Sequence, residues 1–134
     1  MSLLGIDLGG TKLAVGAFSE SGKILSKKII LLEGREGKDV GVLITKTIIE
    51  HLKASSIESI GVSVPGISRI KTGTVWAPNI PGWDDYPLMQ QIKQVAKNIP
   101  VTIDSDRACY ILGEHWQGAA KQINDAIFLA VGTG

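Results

Sequence analysis

Two apolar runs face each other across a glycine turn at the start of the chain. Leu3-Leu4-Gly5-Ile6-Asp7-Leu8 ends in Gly9-Gly10, and Leu13-Ala14-Val15-Gly16-Ala17-Phe18 follows almost at once. Short apolar runs flanked by glycine read as buried strands, and so short a connection predicts a β-hairpin. This opening constrains everything after it. A dinucleotide-binding fold would place a helix directly after its first glycine turn. A Walker loop would need G-x-x-x-x-G-K followed by a helix, and neither is present.

Past a second turn, Ser19-Glu20-Ser21-Gly22-Lys23, residues Ile24 to Leu32 predict a third strand. Val40, Leu43, Ile44, Thr47, Ile48 and Leu52 recur at helical spacing, with Asp39 near the helix start. Ser59 to Val64 predicts a fourth strand, ended by Pro65-Gly66. Residues 67–86 carry turn signals and aromatics and predict a small hairpin and loop insertion. Asp84-Asp85, with Pro87 after them, predict entry to a second helix bearing Leu88, Ile92, Val95, Ala96 and Ile99, stopped by Pro100. Val101 to Asp104 predicts a fifth strand. Ser105 or Asp106 can cap a third helix, with Ala108, Ile111, Leu112, His115, Trp116 and Ala119 on one face. Ala126 to Val131 predicts a sixth strand running into Gly132-Thr133-Gly134.

The predicted order is β-β-β-α-β-α-β-α, then a new β. A meander followed by alternating units implies an α/β domain with a mixed sheet and helices on its faces. This is the order of the ribonuclease-H-like fold. The closing run, Ile127 to Gly134, echoes the opening strand and its glycine turn. The expectation is a first lobe over residues 1–120 and the truncated beginning of a second over 121–134.

Composition narrows the function classes. The 134 residues suffice for one domain with a core. The net charge is +1, with no long basic block, so neither a nucleic-acid footprint nor a membrane-surface helix is expected. A single cysteine, Cys109, allows no internal disulfide and fits a reducing compartment. The N-terminus lacks the pattern of a signal peptide, and no apolar run is long enough to span a bilayer. The expected location is the cytoplasm.

The sharpest chemical signal is Asp7-Leu8-Gly9-Gly10-Thr11-Lys12. Without side chains at Gly9 and Gly10, backbone N–H groups can face a phosphate. Thr11 adds a hydroxyl and Lys12 a positive charge. Asp7, at a strand end, can hold Mg²⁺ through water. The bland alternative is a plain hairpin with a solvated lysine.

This turn resembles the first phosphate motif of the ROK family (repressors, open reading frames and sugar kinases). Val64-Pro65-Gly66 and Ala77-Pro78-Asn79-Ile80-Pro81-Gly82-Trp83 resemble its sugar-loop region. Val101-Thr102-Ile103-Asp104-Ser105-Asp106, continuing to Leu112-Gly113-Glu114, resembles its catalytic segment. Val131-Gly132-Thr133-Gly134 is similar to the first half of its second phosphate motif. The matches run in family order over nearly the whole chain.

The resemblance implies the first lobe of a two-lobe actin-like sugar kinase, with ATP, Mg²⁺ and a hexose as its ligands and a homodimer compatible with the longer parent. Asp106 would be the general base that takes the proton of the attacking sugar hydroxyl. Asn79, Gly66 and Ser105 would bind the sugar. Gly9, Gly10, Thr11 and Lys12, with Gly132, Thr133 and Gly134, would bind phosphate. Where the family has asparagine before the catalytic aspartate, this chain has Ser105. The family's zinc motif and later sugar-binding residues have no counterpart here.

Plainer readings stand beside these. Asp106 can be a helix cap, Asp104 a solvated strand end and Asn79 a turn residue. Trp76, Trp83 and Tyr86 read first as packing aromatics, with stacking on a sugar as the alternative. His51 and His115 read as packing or surface residues, and Cys109 as an inert thiol. A sugar-sensing regulator would need a DNA-binding segment ahead of the phosphate motif, and the first strand at Leu3 leaves no room for one. An actin-like chaperone or filament ATPase would lack the Asn79 loop. The isolated chain is expected to turn over little.

Overall fold

The computed structural model describes residues 1–131. Its elements are β1 (Ser2–Leu8), β2 (Lys12–Phe18), β3 (Ile24–Leu31), α1 (Gly37–Ala54), β4 (Ile57–Val64), β5 (Ile67–Arg69), β6 (Thr74–Trp76), α2 (Leu88–Ala96), β7 (Val101–Ser105) and α3 (Asp106–Gln117). Five strands form a mixed sheet in the order β3-β2-β1-β4-β7, and β5 with β6 form a separate hairpin. β1, β2 and β3 are antiparallel neighbours, whereas β4 runs parallel to β1 and β7 parallel to β4. The opening hairpin and the order of elements up to α3 are those read from the sequence.

Strand alternation decides which face closes. Leu4, Ile6 and Leu8 of β1, Leu13 and Val15 of β2, and Ile60, Val62 and Val64 of β4 all point one way and are buried. Val40, Ile44 and Ile48 of α1 and Leu88, Ile92 and Ala96 of α2 join them in one core. Gly41 lets the helices meet, because a Cβ there would run into the Tyr86 hydroxyl and Gln91 of the α2 region. Val75, Ala77, Ile80 and Trp83 extend the same core beneath the hairpin.

Three expectations are corrected. Asp84 and Asp85 do not enter α2, whose N-cap is Pro87 and whose first turn holds no acidic residue. Asp85 instead accepts from Arg69 Nη1 at 3.0 Å and from the Thr74 hydroxyl, so the turn carboxylate serves the hairpin. In α3 the apolar face is not covered: no residue of the helix is buried, and Leu112 and Trp116 are exposed. The helix has the periodicity of a packed element, but beyond the sheet side it meets only isolated partners, such as Phe128, whose ring centroid is 5.4 Å from that of Tyr110, and the Ser21 carbonyl bonded by Gln117. Ala126–Val131 forms no strand among the described residues, and Ile127, Leu129 and Val131 are exposed. A strand exists by its ladder, and neither sheet edge, β3 or β7, pairs with this run.

Candidate functional site

The β1–β2 turn is tight. Gly9 N–H donates to the Lys12 carbonyl at 2.9 Å, and the Thr11 carbonyl accepts from Leu32 N–H at 2.9 Å, tying the bend to the end of β3. Gly10, Thr11 and Lys12 are exposed at its tip. A Cβ on Gly10 would lie 3.5 Å from the Asn79 Cβ, so the turn and the Asn79 loop are direct neighbours although 69 positions separate them.

The Asn79 loop is held by its flanks. Ala77 N–H donates to Trp83 O, Ile80 N–H to Ala77 O and Trp83 N–H to Ile80 O, at 2.8, 3.0 and 3.1 Å. Ile80 and Trp83 plug the core, at 2% and 1% exposure. Trp83 Nε1 donates to Gly37 O at 2.9 Å, and Gly37 N–H donates to Pro81 O at 2.8 Å, so the loop is clamped to the start of α1. Asn79, between the plugs, is left exposed. Trp83 stacks on Tyr86 with ring centroids 4.4 Å apart, which removes it as a platform for a sugar. It positions the loop instead, a role that its type and spacing alone did not reveal.

Gly66 meets backbone. A Cβ there would overlap the Trp76 carbonyl and lie 2.9 Å from Ala77 Cα, so its lack of a side chain lets the end of β4 pass under the Asn79 loop.

The catalytic candidate lies at the same end of the sheet. Ser105 caps α3, its Oγ accepting from Ala108 N–H at 3.4 Å. Asp106 is the first residue of the helix, and its Oδ1 accepts from Arg107 N–H at 2.8 Å. Of the two capping candidates it is Ser105 that caps, and Asp106 stands one residue past the cap at the helix entrance.

A row of polar side chains crosses the sheet just below. Asp7 pairs in register with Ser63, and Ser63 with Asp104. All three line one cavity of about 450 Å³ with Gly5, Gly16, Cys109 and Tyr110, on the face opposite the core. Ser63 is 8% exposed, and its hydroxyl makes no hydrogen bond of ordinary geometry. The Cys109 thiol lies beside it, but a thiol is a weak partner. Burial pushes the Cys109 thiol above its ordinary pKa; the Ser63 hydroxyl pulls it down, and the charges of Asp104, Asp7 and Asp106 push it up again. Burial likewise raises Tyr110, followed by Asp7 and Asp106. Asp7 and Asp104 thus share one cavity with the thiol, and Asp106 follows directly on the end of β7.

His51 bonds the Thr47 carbonyl at 2.9 Å within α1. Among the described residues no group of three or more His, Cys, Asp or Glu side chains is placed to hold a metal, and no helix is long and apolar enough to cross a membrane. Gly132, Thr133 and Gly134 lie outside the described residues.

Comparison with known proteins follows the same lines. The sequence profile of the ROK family matches residues 3–134. The chain is 35% identical to the glucokinase of Thermotoga maritima, over 100% of this chain and 43% of that protein. It is 32% identical to the xylose repressor of Caldicellulosiruptor bescii, over 99% of this chain and 35% of that protein. Among solved structures, a ROK family glucokinase from Streptomyces griseus in complex with glucose and AMPPNP superposes with a TM-score of 0.78 at 28% identity, covering 91% of this chain and 38% of that one. The fold is the ribonuclease-H-like, actin-like ATPase fold expected from the order of elements. The chain spans less than half the length of each of these proteins.

Proposed function

The chain belongs to the ROK family, and from that membership we propose that it is the first lobe of an ATP-dependent hexose kinase. One observation carries this reading: the glycine turn, the Asn79 loop and the carboxylates Asp7, Asp104 and Asp106 gather at one end of one sheet. A phosphate-binding bend and a candidate base on opposite sides of the molecule would have ruled it out.

In this reading the exposed bend receives the terminal phosphates of ATP, with Thr11 and Lys12 supplying hydroxyl and positive charge. Asn79 can donate to one sugar hydroxyl and accept from another, and Ser105 and the backbone at Gly66 complete this lobe's share of the sugar site. Asp106 takes the proton of the hydroxyl that attacks the γ-phosphate. Phosphoryl transfer asks mainly for positioning and charge stabilisation, which a rigid loop and a carboxylate at a helix entrance provide. Mg²⁺ suits the Asp7 end, where a buried hydroxyl without a hydrogen bond stands between carboxylates. The ion supplies neutralisation of phosphate charge, and Asp7 would hold it through water.

Residues 1–120 would be this first lobe, with 121–134 leading into a second that brings Gly132, Thr133 and Gly134 to the nucleotide. The likeness to a xylose repressor favours a second reading, a sugar-sensing regulator; the candidate base at Asp106 favours the enzyme.

The test is an assay of the longer protein, both lobes present, with ATP, Mg²⁺ and a panel of hexoses. Asp106→Asn should lower kcat by about 10²–10⁴-fold with little change in sugar affinity. Unchanged turnover in that variant would reject the kinase assignment of Asp106. Sugar binding without turnover in the unmodified protein would favour the regulator.

A further inference from the structure

Asp104 carries a role that the kinase reading leaves unused. It stands two strands from Asp7, and Ser63 sits between them in register on both sides. Neighbouring strands are about 4.8 Å apart, so the two aspartate backbones are roughly 10 Å apart. All three side chains line the same cavity. The Ser63 hydroxyl is buried there with only the Cys109 thiol, a weak partner, beside it, a costly state for a polar group unless something completes it.

These dimensions suit a hydrated divalent cation. Mg²⁺ sheds water reluctantly and is commonly held by one or two carboxylates through its water shell. From such an ion, through a bound water, to a carboxylate oxygen is about 5 Å. Two carboxylates rising from strands roughly 10 Å apart can therefore grip opposite sides of one hydrated ion. A hydroxyl between them is placed to bond a third water.

We propose that Asp104 and Ser63, together with Asp7, form a three-strand cradle for the water shell of the divalent cation, making Asp104 a second carboxylate anchor and not a solvated strand end. The proposal rests on the kinase reading for the identity of the ion, and its test does not depend on catalysis.

The probe is Mn²⁺ alone, added in substoichiometric amounts to the isotope-labelled chain, with amide signals followed by NMR. Paramagnetic broadening should centre on Asp7, Ser63, Asp104 and the start of α3. Asp104→Asn, nearly isosteric, should weaken Mn²⁺ binding by about 10-fold or more while leaving distant signals in place. Ser63→Ala should weaken it less. Broadening that centres on Asp7 but is unchanged in Asp104→Asn would overturn the role of Asp104 and leave the kinase reading standing. Broadening spread over surface carboxylates such as Asp84 and Asp85, or none in the row, would overturn the cradle altogether. Loss of the kinase reading would appear elsewhere, as unchanged turnover in Asp106→Asn.

Discussion

On one face of the sheet β1, β2 and β4 present Leu4, Ile6, Leu13, Val15, Ile60 and Val62, each at most 3% exposed beneath α1 and α2. On the other, the same strands present Gly5, Asp7, Gly16, Gly61 and Ser63, with α3 as their neighbour and none of α3 buried. Alternation along a strand makes this division possible, since successive residues serve opposite faces. The helix-covered face holds the fold together. The cavity face gives up apolar area and carries the carboxylates and the unsatisfied hydroxyl. The two duties are thus separated at the level of single residues, and substitutions should separate them too.

The largest effect is expected in the closed face. Ile44→Ala and Ile60→Ala remove fully buried side chains from the shared core and should each cost about 2–5 kcal/mol of stability in urea unfolding. Ile29→Thr, on the exposed edge strand β3, should stay within about 0.5 kcal/mol. A cost at Ile29 equal to those at Ile44 and Ile60 would show that β3 is covered in solution and that the division is drawn in the wrong place.

Next comes the junction between the faces. Gly66→Ala must push the end of β4 away from Trp76 and Ala77, a clash with backbone that no rotamer can relieve. A loss of about 1–3 kcal/mol is expected, of the size seen for overpacking. If Gly66 supports the Asn79 loop, sugar affinity in the longer protein should fall as well, measurable by calorimetry. A stable variant with unchanged sugar binding would show that the loop stands without this contact.

The opening hairpin, the core face and the element order were legible because each rests on local pattern: apolar alternation, glycine turns, helical spacing. The glycine turn at Gly9-Gly10 and Asp106 were singled out by resemblance, and their roles are those proposed above. What was not legible depends on pairing across the chain. The Asp7–Ser63–Asp104 row exists only once β1, β4 and β7 take their register, and no spacing in the sequence encodes it. Trp83 read first as a packing aromatic, and its 1% exposure agrees; what its type could not say is that its bond to Gly37 holds the Asn79 loop. Asp85 looked like a helix entrance because its competing partner, Arg69, lies 16 positions away. Ala126–Val131 has the composition of a strand, but composition supplies no ladder.

Smaller still is the cap of α3. Ser105→Ala removes the acceptor for Ala108 N–H and should cost about 0.5–2 kcal/mol, near the low end because that bond is 3.4 Å long. The same substitution tests the sugar role of Ser105 separately: ribbon stability is read by unfolding, sugar affinity by titration of the longer protein. A change in affinity larger than the change in stability would place Ser105 in the sugar site as well as at the cap.

The subtlest effect lies in the row of glycines. Gly16, Gly5 and Gly61 sit side by side across β2, β1 and β4. A Cβ on Gly16 would come within 2.8 Å of the Phe18 ring, and one on Gly5 within 3.1 Å, whereas one on Gly61 would meet nothing within 4 Å. Glycine in a strand interior is less favourable than alanine by roughly 0.5–1 kcal/mol, because its unfolded chain has more freedom to lose. Gly61→Ala should therefore be neutral or stabilise by up to about that amount, while Gly16→Ala should destabilise because Phe18 must move. Opposite signs at two positions of one row would confirm that the face is open over β4 and closed by Phe18 over β2. A destabilising Gly61→Ala would mean that atoms lie over that glycine in solution, and the contrast between the two faces would then fail where the cavity now has its floor.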